Sequence, residues 1–376
     1  MKKNLLTYLI AMMSMAPQLQ AKTDIPLLDG APYDTIMDGK KVALHTISNG
    51  KVAAQIINYG GFIVSLYAPD REGNYDNLVT NYPNIHQYLR YNIGMVGPAL
   101  GRFANRINNA TFTLDGQEYQ VTKNSGPHIL HGGLKGFDHV VWDVKEATPQ
   151  RLVLTCVLPD GTDGFPGTLT TTLTYSITKE DGLSIAYEAQ TDKPTIVNLS
   201  NHSYFNLDGT ERKGTILDHQ LTVNAEQITE TDRMGIPTGK FLSVEGTPYD
   251  FRTPTRIGDR QMNITGFTFG QRIEVPEGMV RQYDNNFCLT HPSGNGQKPV
   301  LHAFGIQYPA VVGINDVRHS HRLLPFADGT LRFLLQTQDL AALVAELERD
   351  RRDRGGVKVQ DGRRCHTTPV RIHHCV

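Results

Sequence analysis

The chain has 376 residues, 39% hydrophobic and 20% charged, with 37 Lys and Arg against 38 Asp and Glu and a formal net charge of −1. That balance excludes a polyelectrolyte or disordered charged chain and offers no electrostatic reason to expect nucleic acid or an anionic membrane as partner. The length admits one large β domain, because all-β sandwiches run past ~250 residues as single units, and one tryptophan among 35 glycines and 20 prolines points to many turns and few long helices.

Residues 1–21 carry Lys2-Lys3, an apolar stretch over 5–16 and then Pro17-Gln-Leu-Gln-Ala21, the pattern of a secretory signal peptide. The apolar run falls short of the ~20 residues that span a bilayer. The expectation is export to the periplasm or the medium, with Lys22 as the mature N-terminus. No later segment is apolar enough to cross a membrane, so none is expected as partner.

Residues 22–303 are short alternating stretches punctuated by Asp-Gly, Asn-Gly and Gly-Gly, which predicts one all-β sandwich or barrel domain. The clearest hairpin is Ala110-Thr-Phe-Thr-Leu-Asp115-Gly116-Gln-Glu-Tyr-Gln-Val121, where Asp-Gly supplies the two positive φ angles of a type I′ turn. Phe165-Pro166-Gly167 is a turn signal ahead of a strand over 168–178, and Asp181-Gly182 turns that strand into another over 183–189. Cys156 and Cys288 sit inside strand-like apolar runs where free cysteine fills core, and with Cys365 and Cys375 they form no regular framework, so no obligatory disulfide is expected. No stretch before residue 330 shows a 3.6-residue apolar period.

Residues 304–376 read differently. Residues 301–376 hold ten arginines and one lysine, against twelve and fourteen in residues 1–300, and six of the 14 histidines. Residues 336–352 read as an amphipathic helix with Leu340, Leu343, Val344 and Leu347 on one face. His319, His321, His373, His374 and Cys375 lack a third spaced partner for a metal, and none is expected.

Polar clusters in the β body fall at strand ends and turns, where sites tend to be built. They are Gly101-Arg-Phe-Ala-Asn105-Arg106, His128-Ile-Leu-His131-Gly132-Gly133, Asn198-Leu-Ser-Asn201-His202-Ser203-Tyr204-Phe205-Asn206-Leu207, and Tyr249-Asp250-Phe-Arg252. Taken singly, Arg106 reads as a surface cation, His131 and His202 as satisfied core or turn histidines, and Asp250 as a turn-former capping its own backbone. Asn198, Asn201 and Asn206 around a histidine and two aromatics offer directional donors and acceptors beside flat apolar faces, a combination suited to sugars.

The segment 198–207 resembles the signature of aldose 1-epimerases, with Ser200 where that family usually has threonine. Residues 101–107, 130–138, 246–252 and 283–288 resemble further blocks of the family, in the same order. The resemblance covers roughly residues 25–303 and implies a large twisted antiparallel β-sandwich, the galactose mutarotase-like supersandwich, with a sugar cleft on its concave side. It implies interconversion of the α and β anomers of a free hexose such as galactose or glucose, without metal or organic cofactor, in a protein expected to be a monomer. His202 takes the role of the acid that protonates the ring oxygen, a task suited to a group that exchanges protons near neutral pH. His131 corresponds to a second histidine near that oxygen, while Asn105, Arg106, Ser203, Tyr204 and Asp250 correspond to sugar-binding positions.

The family's base is a glutamate in a C-terminal Glu-Thr-Gln. The nearest match here is Gln336-Thr-Gln338, which puts an amide where the carboxylate belongs. Gly305-Ile-Gln307 and His366-Thr-Thr368 resemble other family blocks, and such islands within arginine- and histidine-rich text suggest a partly shifted reading frame, with a diverged tail as the alternative. Two further readings follow: a non-catalytic sugar-binding protein on the same fold, and a sugar-phosphate epimerase. The second requires a cationic cluster for the phosphate that the matched blocks do not contain.

Overall fold

The structure is a computed structural model; it describes residues 24–91, 95–211, 216–232, 234–261 and 285–289, and the backbone of the strands Phe304–Gln307, Val311–Ile314, His321–Leu323 and Ile372–Cys375. Among the described residues the regular secondary structure is almost wholly antiparallel strand, as predicted. The longest sheet has five strands in the order Asp143–Thr148, Arg151–Leu158, Leu169–Ile177, Leu183–Thr191 and Ile372–Cys375. Along Leu169–Ile177 every second residue is buried, namely Leu169, Thr171, Leu173, Tyr175 and Ile177. That is the pattern of a strand with one face on a core and the other toward water.

The opposing layer is built on Leu44–Ser48, Ala53–Ile57 and Phe62–Tyr67. The last two of these strands are buried at every position, so apolar residues stand on both faces, interrupted only by the buried Gln55 and Ser65, instead of alternating with exposed polar ones. The reason is a core on each side. Ile47, Ala54, Ile56, Ile63 and Leu66 join Leu152, Leu154, Leu173, Tyr175, Ile185 and Tyr187 in the main core, together with Phe137 and Trp142. Ile57, Phe62 and Val64 face a second cluster with Tyr33, Val42, Tyr59, Ile85, Tyr88 and Val141.

The predicted hairpin forms as Thr111–Leu114 against Gln117–Gln120, with Asp115 and Gly116 at φ 54° and 78°. Cys156 and Cys288 are both buried, each within a strand. A helix over Ile85–Tyr91 departs from the sequence reading. It spans about two turns and buries only Ile85 and Tyr88, too little for an apolar period to emerge, although Asn84 Oδ1 accepts from the Gln87 N–H at 3.0 Å in the manner of an N-cap.

Four short strands from the C-terminal part pair with the body. Val311–Ile314 lies between Tyr204–Phe205 and Phe304–Gln307, His321–Leu323 pairs with Thr195–Val197, and Ile372–Cys375 pairs with Leu183–Thr191. The segment 1–21, His319, Gln336 with the amphipathic stretch 336–352, Cys365 and His366 lie outside the described residues.

Candidate active site

The site is organised by the stretch 99–107. Ala99–Leu100 pairs with Ser200–Asn201, and Arg106–Ile107 pairs with Ile129–Leu130. His202 and His131 are the residues that follow those two partners, so distant parts of the sequence meet across one central stretch. Backbone bonds fix each: the His202 N–H donates to Pro98 O at 2.9 Å, and the His131 N–H to Asn105 O at 3.0 Å. The two imidazoles meet edge to face with centroids 5.2 Å apart, and Tyr204 stands 4.9 Å from His202.

The backbone around His131 is unusual. Asn105 and His131 lie at φ 65° and 54°, in the left-handed region that a non-glycine residue seldom enters, and Gly132 and Gly133 follow at 93° and 98°. Side chains are sterically excluded at both glycines, because a Cβ on Gly132 would lie 2.1 Å from Gly101 O and one on Gly133 would lie 2.6 Å from the Asp163 carboxyl. Strained conformations of this kind cluster where a side chain must be aimed.

His131 Nδ1 accepts the Asn105 backbone N–H at 2.9 Å. An acceptor at Nδ1 leaves the ring hydrogen on Nε2, so the neutral ring presents a donor on its other edge. Burial, then His202, then Arg106 hold the His131 pKa well below its ordinary value. Burial pushes His202 down to about 4. Both rings are therefore neutral at pH 7 in the free protein. His202 Nδ1 and Ser203 Oγ are buried without a hydrogen-bond partner among the described residues. Buried polar atoms are normally satisfied, and two neighbouring exceptions fit a place built to receive a polar ligand.

Arg106 is half-buried, with its backbone N–H and guanidinium both directed at Asn105 Oδ1, at 2.8 and 3.4 Å. Asp250 is held by a different set of contacts: the Arg252 fork grips its two oxygens at 2.9 Å each, and Oδ1 also accepts the Arg252 backbone N–H at 3.3 Å. The three asparagines near His202 each bond the backbone. Asn198 Nδ2 donates to Ala104 O, Asn201 Nδ2 to Gly97 O, and Asn206 Oδ1 accepts the Asp208 N–H. Buried backbone groups demand partners, and these amides supply them.

Other residues that shape the site carry weak signals. Arg102 is 1% exposed and donates to Pro166 O, Gly167 O, Leu158 O and Thr195 Oγ1 while lying over the Phe165 ring. Burial lowers its pKa to about 10. The Tyr187 hydroxyl donates to Ser200 O at 2.7 Å, tying the five-stranded sheet to the strand that precedes His202. A tyrosine in an alternating strand announces burial, not its hydrogen-bond partner.

Against this geometry, a family profile described as aldose 1-epimerase matches residues 43–308. The chain belongs to the aldose 1-epimerase family. Galactose mutarotase of Sus scrofa is 36% identical over 271 residues, covering 70% of this chain and 75% of that protein. Aldose 1-epimerase of Escherichia coli K12 is 30% identical over 268 residues, covering 71% and 73%. A solved aldose epimerase homologue from C. elegans superposes with a TM-score of 0.63 at 25% identity, covering 74% of this chain and 90% of that one. As an aldose 1-epimerase family member the chain is an isomerase by kinship, on the galactose mutarotase fold. The profile match takes in both histidine loops and ends at residue 308.

Proposed function

We propose that the protein opens and recloses the ring of a free hexose such as galactose or glucose, interconverting its anomers, with His202 as the proton donor to the ring oxygen. The observation that carries this reading is the buried His131–His202 pair, 5.2 Å apart, set beside Asn105 and Arg106 by backbone pairing. His131 Nε2–H offers a neutral hydrogen bond to a sugar oxygen, and Ser203 Oγ and His202 Nδ1 stand ready for polar partners. His202, neutral in the free protein, must be charged when it gives up its proton. A negative group bound nearby would raise its pKa toward that state.

That requirement gives the C-terminal segment its importance. In the family pattern a glutamate both accepts the C1 hydroxyl proton and supplies negative charge, and Gln336 in the matching tripeptide does neither. Loss of general-base catalysis costs typically ~10²–10⁴-fold. The second reading, a sugar-binding protein with impaired catalysis, rests on this single substitution.

Polarimetry separates the two. Accelerated decay of α-glucose rotation by the pure protein, abolished in His202→Asn, supports the enzyme. Equal rates with and without protein leave the binding reading, and Gln336→Glu should then restore rate by ~10²-fold or more if residue 336 occupies the base position. We also propose export through residues 1–21; N-terminal sequencing of secreted protein should begin at Lys22.

A further inference from the structure

The loop over residues 159–167 entered the sequence reading only as a turn signal, yet it touches both halves of the candidate site. Its Pro166 and Gly167 carbonyls accept from the Arg102 guanidinium at 2.7 and 2.8 Å, anchoring the stretch that carries Asn105 and Arg106. Its Asp163 is a buried carboxylate, 9% exposed, at φ 49°. Asp163 Oδ1 accepts the Leu134 N–H at 3.1 Å and Oδ2 the Lys135 N–H at 2.8 Å. Its own carbonyl accepts the Thr122 N–H at 2.9 Å, and the neighbouring Gly164 is packed so tightly that a Cβ would lie 2.3 Å from Gln120 O.

The segment 131–133 needs such an anchor. Three consecutive residues at positive φ make no regular ladder, and the cost of holding His131 there must be met by contacts outside the segment. On one side Asn124 brackets it, Oδ1 accepting the Leu130 N–H and Nδ2 donating to Leu130 O and Gly133 O. On the other side both backbone donors that follow Gly133 end on the two oxygens of Asp163, and Gly133 lies against its carboxyl group.

We propose that Asp163 is a positioning residue: its carboxylate pins the backbone after Gly133 and so holds the His131 ring against the Asn105 N–H with Nε2–H directed to the substrate. The claim about aim toward substrate rests on the sugar-site reading above, whereas the claim about the His131 ring does not. A misplacement of about 1 Å in a donor costs up to ~10²-fold in rate, so the loss expected in Asp163→Ala is ~10–100-fold in kcat/KM. Asp163→Asn retains one acceptor oxygen for two N–H donors and should fall between wild type and Asp163→Ala.

The test combines kinetics with long-range ¹H–¹⁵N correlation spectra of the ligand-free protein, which distinguish Nδ1- from Nε2-protonated imidazole, His131 being assigned by its loss in His131→Asn. Wild type should show His131 as the Nε2–H form. In Asp163→Ala that signature should blur toward a mixture while the other histidines keep theirs, with kcat/KM reduced as stated. A folded Asp163→Ala with lowered thermal stability but an unchanged His131 signature and unchanged kcat/KM overturns the proposal, because that is what a merely structural role produces. If Asp163→Ala does not fold, the milder Asp163→Asn decides by the same two readouts. A wild type without anomer interconversion sinks the proposed function, yet the spectra still decide whether Asp163 orients His131.

Discussion

His131 and His202 are kept neutral by exclusion from water, and the Asn105 N–H donated to His131 Nδ1 sets which nitrogen of that ring carries the hydrogen. At this scale the glycines are as specific as the histidines. Gly132→Ala should destabilise the fold by more than about 2 kcal/mol, since strain at φ 93° is joined by a Cβ placed 2.1 Å from a backbone oxygen. Gly116→Ala, at φ 78° with nothing within 4 Å of the added carbon, should cost only about 1–2 kcal/mol. Urea denaturation of the two variants side by side measures the difference, and equal losses would show that crowding at Gly132 is relieved by movement. His202→Asn belongs to this scale as well: it keeps a polar side chain yet removes the titratable ring, so anomer interconversion should vanish while the fold persists by circular dichroism.

Among the elements, the stretch 99–107 is the one on which the site depends, because its two pairings carry one histidine each. Its anchor is Arg102, a buried cation that donates to three backbone carbonyls and a hydroxyl. Arg102→Met keeps much of the volume but strands those acceptors, and the loss should reach about 3 kcal/mol or more. Thermal unfolding followed by fluorescence checks this. Tyr187→Phe removes the donor to Ser200 O and should cost about 1–3 kcal/mol. The Asp115-Gly116 hairpin was legible because its turn chemistry is local. The helix over Ile85–Tyr91 was not, since two buried side chains do not make a period.

For the whole molecule, the buried histidines set an acid limit. The pKa of His202 falls from an ordinary 6.5 to about 4 on folding, so between those values the unfolded chain binds more protons than the native one. Stability is then complete above about pH 6.5 and is lost as pH falls toward 4, at up to about 1.4 kcal/mol per pH unit for this group. His131, lowered by the same burial, adds in the same direction. Urea midpoints measured from pH 7.5 to 4.5 should fall, and more gently in His202→Asn; parallel curves would exclude His202 as a source. From the sequence by itself came the all-β class, the hairpin turns, the buried thiols and, through ordered family blocks, the two histidines, because strand alternation, turn chemistry and motif order are all written locally. Which polar groups meet was decided by the tertiary structure. Asn198, Asn201 and Asn206 each bond the backbone, Asp250 is gripped by Arg252, and the Asp163 carboxyl accepts from the two N–H groups after Gly133 in the loop of His131. A side chain's donors and acceptors are fixed by its type, but their partners depend on which segments the sheets bring within about 3 Å.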